Sequence, residues 1–143
     1  MKKHEHYDVK QLHESDLSRA FVIIAQLRTH LDANAFEDCV RRQSTMGYEL
    51  YGAFDDTELV GVMGIRPVQT PARGLHLHID DSVVDLRHRR QGVGHNLLIF
   101  AEEIALRRKL DRIFLDSRQS VVSFYEGHGY TQHSSILMRK SIL

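Results

Sequence analysis

Apolar residues at helical spacing predict two amphipathic helices in the first third of the chain. Leucine, isoleucine and phenylalanine recur every three or four positions over residues 17–31. A second stripe of the same period follows Asn34, and Gly47 is placed to end that helix. A short strand over residues 7–12 is predicted ahead of both helices.

Alternation of apolar and polar residues predicts three strands in the middle of the chain. They cover residues 48–54, 59–65 and 75–84. The first two are joined by a polar connection of hairpin length, residues 55–58. Pro67 and Pro71 predict a loop before the third strand, in which the stretch GLHLHIDDS carries two histidines and two aspartates.

The second half of the chain predicts a helix, a strand, a helix and a closing strand, over residues 93–110, 112–116, 120–126 and 136–142. Gly127 is the expected end of the second of these helices. Neither a repeat nor a linker rich in glycine, proline or serine divides the chain, so residues 1–143 are predicted to form one domain. The order of elements predicts an α/β fold of the α+β type, with a mixed sheet and about four helices.

Composition excludes several classes of protein. The 143 residues include 19 basic and 19 acidic side chains, a balance that disfavours a nucleic-acid binder. The single cysteine, Cys39, allows no internal disulfide, and no apolar run is long enough to cross a bilayer. We therefore expect a soluble cytoplasmic protein that acts without nucleic acid or membrane.

The most informative motif is a basic, glycine-containing turn that opens the helix at residue 93. It reads RHRRQGVGH over residues 87–95, with the pattern Arg89-x-x-Gly92-x-Gly94. Glycines at a helix N-terminus let the backbone approach a ligand, and the free N–H groups there favour an anion. The spacing matches neither the P-loop nor the dinucleotide fingerprint, so the turn predicts a phosphate contact of another kind.

Together with a second motif, this turn resembles the GNAT superfamily of acyl-CoA-dependent N-acetyltransferases. RRQGVG matches the pyrophosphate loop of that family, and FYEGHGY, residues 124–130, matches its late signature. The resemblance implies a GNAT fold: a twisted, mostly antiparallel sheet splayed at its central strands, with acyl-CoA in the gap. The residues it implies for cofactor binding are Val83, Val84, Arg89, Arg90, Gln91, Gly92, Val93, Gly94 and His95. Arg118 or Ser117 is expected where many members have an asparagine that contacts CoA.

The resemblance also implies the catalytic groups. Tyr125 occupies the position of the acid that protonates the departing thiolate, and counting back from the glycine loop places the base at His78. His78 is expected to share a strand face with His76, Asp80 and Ser82, and the loss of apolar alternation at residues 80–82 suggests a bulge. Whether His78 or Asp80 takes the proton is left open. A metal site at His76-x-His78-x-Asp80 is a weaker alternative.

The predicted function is transfer of an acetyl group from acetyl-CoA to a primary amine, by direct attack in a ternary complex. The expected acceptor is a small-molecule or peptide amine, no metal is required, and a homodimer is possible because dimers are common in the family. The alternative is a catalytically silent acyl-CoA-binding sensor or regulatory module.

Overall fold

The structure, a computed structural model, describes residues 7–143. Within these residues five strands form one sheet in the order β1 to β5, and every neighbouring pair is antiparallel except β4 and β5. The strands are β1 (Asp8–Gln11), β2 (Glu49–Asp55), β3 (Glu58–Thr70), β4 (Gly74–Val84) and β5 (Ile113–Leu115). The helices are α1 (Leu17–Ile24), α2 (Ala33–Ser44), α3 (Val93–Arg107) and α4 (Val122–Glu126). This arrangement confirms the predicted mixed, mostly antiparallel fold.

The sheet separates two apolar clusters, one on each face. Residues of α3 pack on one face against Met63, Leu77 and Ile79, and residues of α1 and α2 pack on the other against Val62 and Val83. The helix α3 also makes the crossover that the parallel pair β4 and β5 requires. Burial on both faces explains why the central strands are nearly continuous apolar runs.

A β-bulge interrupts the pairing of β3 with β4. Gly64 lies opposite Asp81 and Ile65 lies opposite Ile79, so Asp80 has no partner on β3. The extra residue inverts the alternation of side chains along β4. Ile79 belongs to the cluster on the α3 side, whereas Val83, four residues later, belongs to the cluster under α1 and α2. The bulge expected at residues 80–82 is therefore confirmed.

The bulge depends on the absence of a side chain at Gly64. The ring of Tyr48 lies over this residue, and its hydroxyl donates a hydrogen bond of 2.9 Å to Asp81 Oδ2 on β4. A Cβ atom at Gly64 would overlap the hydroxyl oxygen of Tyr48. Glycine at this position thus lets the tyrosine that immediately precedes β2 reach across β3.

Two predicted boundaries are wrong for identifiable reasons. The first helix ends at Ile24 rather than at residue 31, because the side chains of Gln26 and Arg28 turn toward Asp85 and Asp81. The loop predicted at residues 67–71 is largely strand, since β3 continues to Thr70. Pro67 is accommodated because β2 pairs with β3 only as far as Ile65, which leaves one side of Pro67 without a neighbouring strand.

The predicted closing strand at residues 136–142 is also wrong. Residues 131–143 belong to no strand, and the apolar side chains in this segment are exposed. A strand needs a neighbour to complete its hydrogen bonds, and within the described chain no element pairs with this segment.

We expect Gly64→Ala to lower the free energy of unfolding by about 3 kcal/mol, because the new methyl group would displace the Tyr48 hydroxyl from a packed site. Chemical denaturation measures this change. Gly127→Ala is the matched control: Gly127 has an ordinary helical φ of −64° and space for a methyl group, so its stability should change by less than about 1 kcal/mol. Equal stability of the two variants would show that Tyr48 does not need the space at Gly64.

Candidate active site

The candidate site lies where β4 and β5 part. These strands pair only from Leu77 with Ile113 to Ile79 with Leu115, and β4 then continues to Val84 without β5 beside it. The gap contains a pocket of about 310 Å³. Its lining residues are Arg28, His78, Ile79, Asp80, Asp116, Ser117 and Arg118.

His78 and Asp80 form a hydrogen-bonded pair at this pocket. His78 Nδ1 lies 3.1 Å from Asp80 Oδ1, and Arg66 Nε donates to Asp80 Oδ2 at 2.6 Å. Burial alone would raise the pKa of Asp80, but the hydrogen bonds from His78 and Arg66 outweigh it and the pKa is lowered. An ionised carboxylate only accepts hydrogen bonds, so Nδ1 of His78 carries the proton of this pair, and in a neutral imidazole the lone pair then lies on Nε2.

The neighbouring carboxylate, Asp81, is held by two other side chains. Arg28 Nε donates to Asp81 Oδ1 at 3.1 Å, and the Tyr48 hydroxyl donates to the other carboxylate oxygen. Arg28 Nη2 also donates to the Asp80 carbonyl at 3.1 Å, which fixes the backbone of the bulge. Burial and the charge of Asp81 raise the pKa of Tyr48 far above its usual value, so Tyr48 stays a neutral donor.

Tyr125 lies on the opposite face of β4, in the cluster packed against α3. Its hydroxyl is hydrogen-bonded to the side chain of Ser82, and burial raises the pKa of Tyr125. The prediction that Ser82 shares a face with His78 and Asp80 is therefore wrong, because the bulge turns Ser82 to the other side of the sheet. The hydroxyl of Tyr125 keeps its proton at neutral pH and can donate it.

The glycine loop adopts the backbone conformation that the sequence suggested. Gly92 is the N-cap of α3 with φ of +87°, and Arg90 also has a positive φ, +64°. The first helical hydrogen bond runs from the Asn96 N–H to the Gly92 carbonyl. The N–H groups of residues 93–95 precede it and so point out of the helix end, as an anion site requires.

The loop and the late signature are in contact. A Cβ atom at Gly94 would lie 3.2 Å from the ring of Phe124, so this glycine lets the start of α3 approach α4 closely. His95 Nδ1 is 2.9 Å from His128 Nε2, which joins the two motifs a second time. Two segments thirty residues apart in sequence thus form one surface beside the gap.

The comparisons with known proteins agree with this geometry. The model of the acetyltransferase (GNAT) family matches residues 8–130. The chain belongs to the GNAT family. Membership implies an enzyme that transfers an acyl group to an amine, and the family generally uses acetyl-CoA.

Three individual proteins illustrate the relationship to other GNAT members. An uncharacterized N-acetyltransferase of Bacillus subtilis, YhdJ, is 30% identical over 143 residues, covering 94% of this chain and 98% of that protein. Streptothricin acetyltransferase of Escherichia coli is 30% identical over 131 residues, covering 81% of this chain and 73% of that protein. The crystal structure of a Trypanosoma brucei acetyltransferase superposes with a TM-score of 0.81 at 24% identity, over 96% of this chain and all of that one. This last match shows a shared fold.

The structure shows the surroundings of three of the predicted cofactor-binding residues. The Arg89 side chain turns back to the strand, where Nε donates to the Val84 carbonyl at 3.1 Å, so this carbonyl already has a partner. Arg118 lines the pocket next to Ser117. Val83 is buried under α1 and α2, which leaves only its main chain for a ligand in the gap.

The pattern His76-x-His78-x-Asp80 does not form one cluster in the structure. His76 is separate from the hydrogen-bonded pair of His78 and Asp80. It is buried, its Nδ1 lies 3.0 Å from the Gly74 carbonyl, and its ring packs against Phe114. Among residues 7–143 one group of three potential metal ligands lies close together, and it contains none of these three residues. That group is Glu58, Asp85 and His88, and Arg87 already forms ion pairs with both of its carboxylates.

Three residues of the site carried no signal in the sequence. Arg28, Tyr48 and Arg66 each contact an aspartate of β4 from another part of the chain. Their roles depend on tertiary contacts across the sheet, and no motif spacing reports such contacts.

In the described part of this GNAT chain, no helix combines the length and the apolar character needed to cross a membrane.

The lowered pKa of Asp80 predicts a pH dependence of stability. A carboxyl group with a depressed pKa stabilises the fold above its unfolded pKa of about 3.9, and this stabilisation is lost as the pH falls through the folded pKa. We expect Asp80→Asn to unfold more easily than the wild type at pH 7, and the difference between them to shrink below about pH 4. Denaturation at a series of pH values measures the difference in the free energy of unfolding between the two proteins. A difference that stayed constant from pH 7 to pH 2 would contradict the assigned charge state.

Proposed function

We propose that the protein is an acetyl-CoA-dependent N-acetyltransferase that acetylates a primary amine by direct attack in a ternary complex. The observation that carries the proposal is the bulge on β4. The bulge places His78, which has a free ring nitrogen, on one face of the strand, and Tyr125, which keeps its proton, lies on the other face. Both are at the gap between β4 and β5, beside the N-terminus of α3 that is suited to bind an anion. Acetylation of an amine uses a base and benefits from an acid, because the amine loses a proton and the thiolate gains one.

Acetyl-CoA supplies the activated acetyl group, and this chain has suitable groups to hold it. The N–H groups of residues 91–95 and the guanidinium of Arg90 would bind the pyrophosphate, since both favour an anion. The main chain at Val83 and Val84 would contact the pantetheine arm, with Arg89 giving up its bond to the Val84 carbonyl. Arg118, at the pocket, would contact the CoA moiety from the β5 side.

His78 is the proposed base. Its Nε2 lone pair is available because Asp80 holds the proton on Nδ1, and the lowered pKa of Asp80 makes that carboxylate the weaker base. Asp80 is accordingly a positioning residue that orients the imidazole. The proton leaves the ammonium of the acceptor for Nε2, directly or through one water molecule, before the nitrogen attacks.

Tyr125 is the proposed acid, and Ser82 is its positioning residue. Burial keeps the hydroxyl protonated, and the hydrogen bond from Ser82 fixes its direction. As the bond between the acetyl carbon and sulfur breaks, the tyrosine gives its proton to the thiolate. Bulk water later restores that proton.

The proposed acceptor is a small-molecule amine. The pocket of about 310 Å³ suits a compact ligand, and the similar streptothricin acetyltransferase is named for a small-molecule acceptor. Asp80 and Asp81 are each paired with an arginine, so they do not offer free negative charge to a polycation. We further propose that the enzyme acts in the cytoplasm, where a lone unpaired cysteine is stable, and that it forms a homodimer.

The test of this function combines calorimetry with thiol release. We expect the purified protein to bind acetyl-CoA and to release free CoA with at least one member of a panel of amino sugars, aminoglycosides, polyamines, amino acids and peptides. His78→Gln should lower kcat by about 100-fold or more while acetyl-CoA binding is kept. Binding without release across the panel would favour a catalytically silent sensor, and absence of binding would overturn the proposal.

A pair of tyrosine variants separates the acid from its surroundings. We expect Tyr125→Phe to lower kcat by about 100-fold with little change in the Kd for acetyl-CoA. Tyr130→Phe is the matched control, because Tyr130 belongs to the same motif but its buried hydroxyl has no hydrogen-bond partner. It should keep full activity and equal or greater stability. Equal turnover of Tyr125→Phe and the wild type would exclude Tyr125 as the acid.

A further inference from the structure

Hydrogen bonds hold two successive carbonyl oxygens of the glycine loop, residues 87–95. The Tyr7 hydroxyl lies 3.2 Å from the Gln91 carbonyl oxygen. A carbonyl oxygen only accepts hydrogen bonds, so the tyrosine is the donor. The next carbonyl, that of Gly92, accepts from the Asn96 N–H at 3.0 Å and from Asn96 Nδ2 at 2.8 Å. Both peptide groups that flank Gly92 therefore have their oxygens fixed.

A fixed carbonyl also fixes the N–H group of the same peptide. The described chain has no cis peptide bond, and in a trans peptide the C=O and the N–H point in opposite directions. The Gly92 N–H therefore points away from Tyr7, and the Val93 N–H points away from Asn96. Among residues 7–143 no group accepts a hydrogen bond from the Gly92 N–H. These are two of the N–H groups that we assign to the pyrophosphate.

The peptide between Gln91 and Gly92 needs such a restraint because glycine does not supply one. Gly92 has a φ of +87°, and glycine adopts positive and negative φ about equally well. The backbone at Gly92 thus permits either orientation of this peptide. The reversed orientation would present a carbonyl oxygen to the anion and remove one N–H donor from it. The hydrogen bond from Tyr7 favours the orientation that an anion requires.

Tyr7 is a firmly held donor. Its side chain is buried and belongs to the same apolar cluster as Val93 and Leu97 of α3. Burial, with a smaller contribution from the charge of Asp55, raises the pKa of Tyr7, so the hydroxyl keeps its proton at neutral pH. A ring fixed by packing therefore presents a protonated hydroxyl to the Gln91 carbonyl. Tyr7 lies outside both motifs and 84 residues before Gln91, so no motif spacing reports this contact.

We propose that Tyr7 is a positioning residue for acetyl-CoA, which holds the Gly92 N–H toward the pyrophosphate through the Gln91 carbonyl. The inference rests on the proposed function, because it takes the glycine loop as the site of the pyrophosphate. It adds a residue that acts on the cosubstrate without touching it. The residue just before the first strand, at one edge of the sheet, thereby becomes part of the support of the binding loop.

The variant Tyr7→Phe tests the role of the hydroxyl, because it removes the donor and keeps the ring. We expect the Kd for acetyl-CoA, measured by calorimetry, to rise by about 10-fold, which corresponds to the loss of one hydrogen bond. The KM for acetyl-CoA should rise by a similar factor. The kcat at saturating acetyl-CoA should stay within about twofold of the wild type, because the hydroxyl acts on binding and not on proton transfer.

The matched control is Tyr51→Phe. Tyr51 is as buried as Tyr7 and belongs to the same apolar cluster, but its hydroxyl donates to Glu49 at 2.8 Å and not to the loop. Its Kd for acetyl-CoA should stay within about twofold of the wild type. An unchanged Kd in Tyr7→Phe would overturn the inference and leave the proposed function standing. A wild type that does not bind acetyl-CoA would overturn both.

Two further measurements distinguish positioning of the loop from general support of the fold. S-acetylpantetheine has the same thioester as acetyl-CoA and lacks the pyrophosphate. We expect Tyr7→Phe to lower kcat/KM for acetyl-CoA by about 10-fold and to change kcat/KM for S-acetylpantetheine by less than about twofold.

The second measurement replaces Tyr7 by para-aminophenylalanine, which places an N–H donor where the hydroxyl was. This variant should recover most of the affinity for acetyl-CoA that Tyr7→Phe loses. An equal loss of kcat/KM with both thioesters, or an affinity that the amino group does not restore, would contradict a role in positioning the loop.

Discussion

The β-bulge at Asp80 is the constraint on which the candidate site depends. Without the extra residue, alternation would send Ser82 to the face of His78, away from Tyr125. The bulge is held from three directions, by the pairing of Gly64 with Asp81, by Tyr48 through its hydroxyl, and by Arg28 on the Asp80 carbonyl. A local irregularity in one strand thus places the proposed base and the proposed acid on opposite faces of the sheet.

The charges at the bulge explain how two adjacent carboxylates can coexist in a partly buried site. Each aspartate has its own arginine, Arg66 for Asp80 and Arg28 for Asp81, so neither charge is left uncompensated. Both ion pairs are partly exposed, and their value for overall stability is modest. Their larger effect is geometric, because each arginine fixes the direction of a carboxylate that in turn fixes a histidine or a tyrosine.

Much of the fold could be predicted from the sequence because its signals are local. The helical stripe of α3, the alternation of β4, the bulge and the two glycine motifs are all encoded within short windows. Most of the predictions that failed depended on distant partners. Helix α1 ends early because Gln26 and Arg28 have partners near β4, and β3 passes through Pro67 because β2 has already ended. No short window contains that information, and the same holds for Tyr48 and Arg66 at the site. Ser82 is a different case, because its change of face follows from the predicted bulge once the alternation of side chains is inverted there.

The contact between the two motifs has a consequence for catalysis. Gly94 of the phosphate loop lies against Phe124, and Tyr125 is the next residue of the same short helix. Helix α4 has only five residues, so its own hydrogen bonds hold it weakly and its position depends on packing. The start of α3 is therefore a support for the tyrosine as well as the proposed anion site. Binding of the cosubstrate at this loop would act on the same packing that positions the proposed acid.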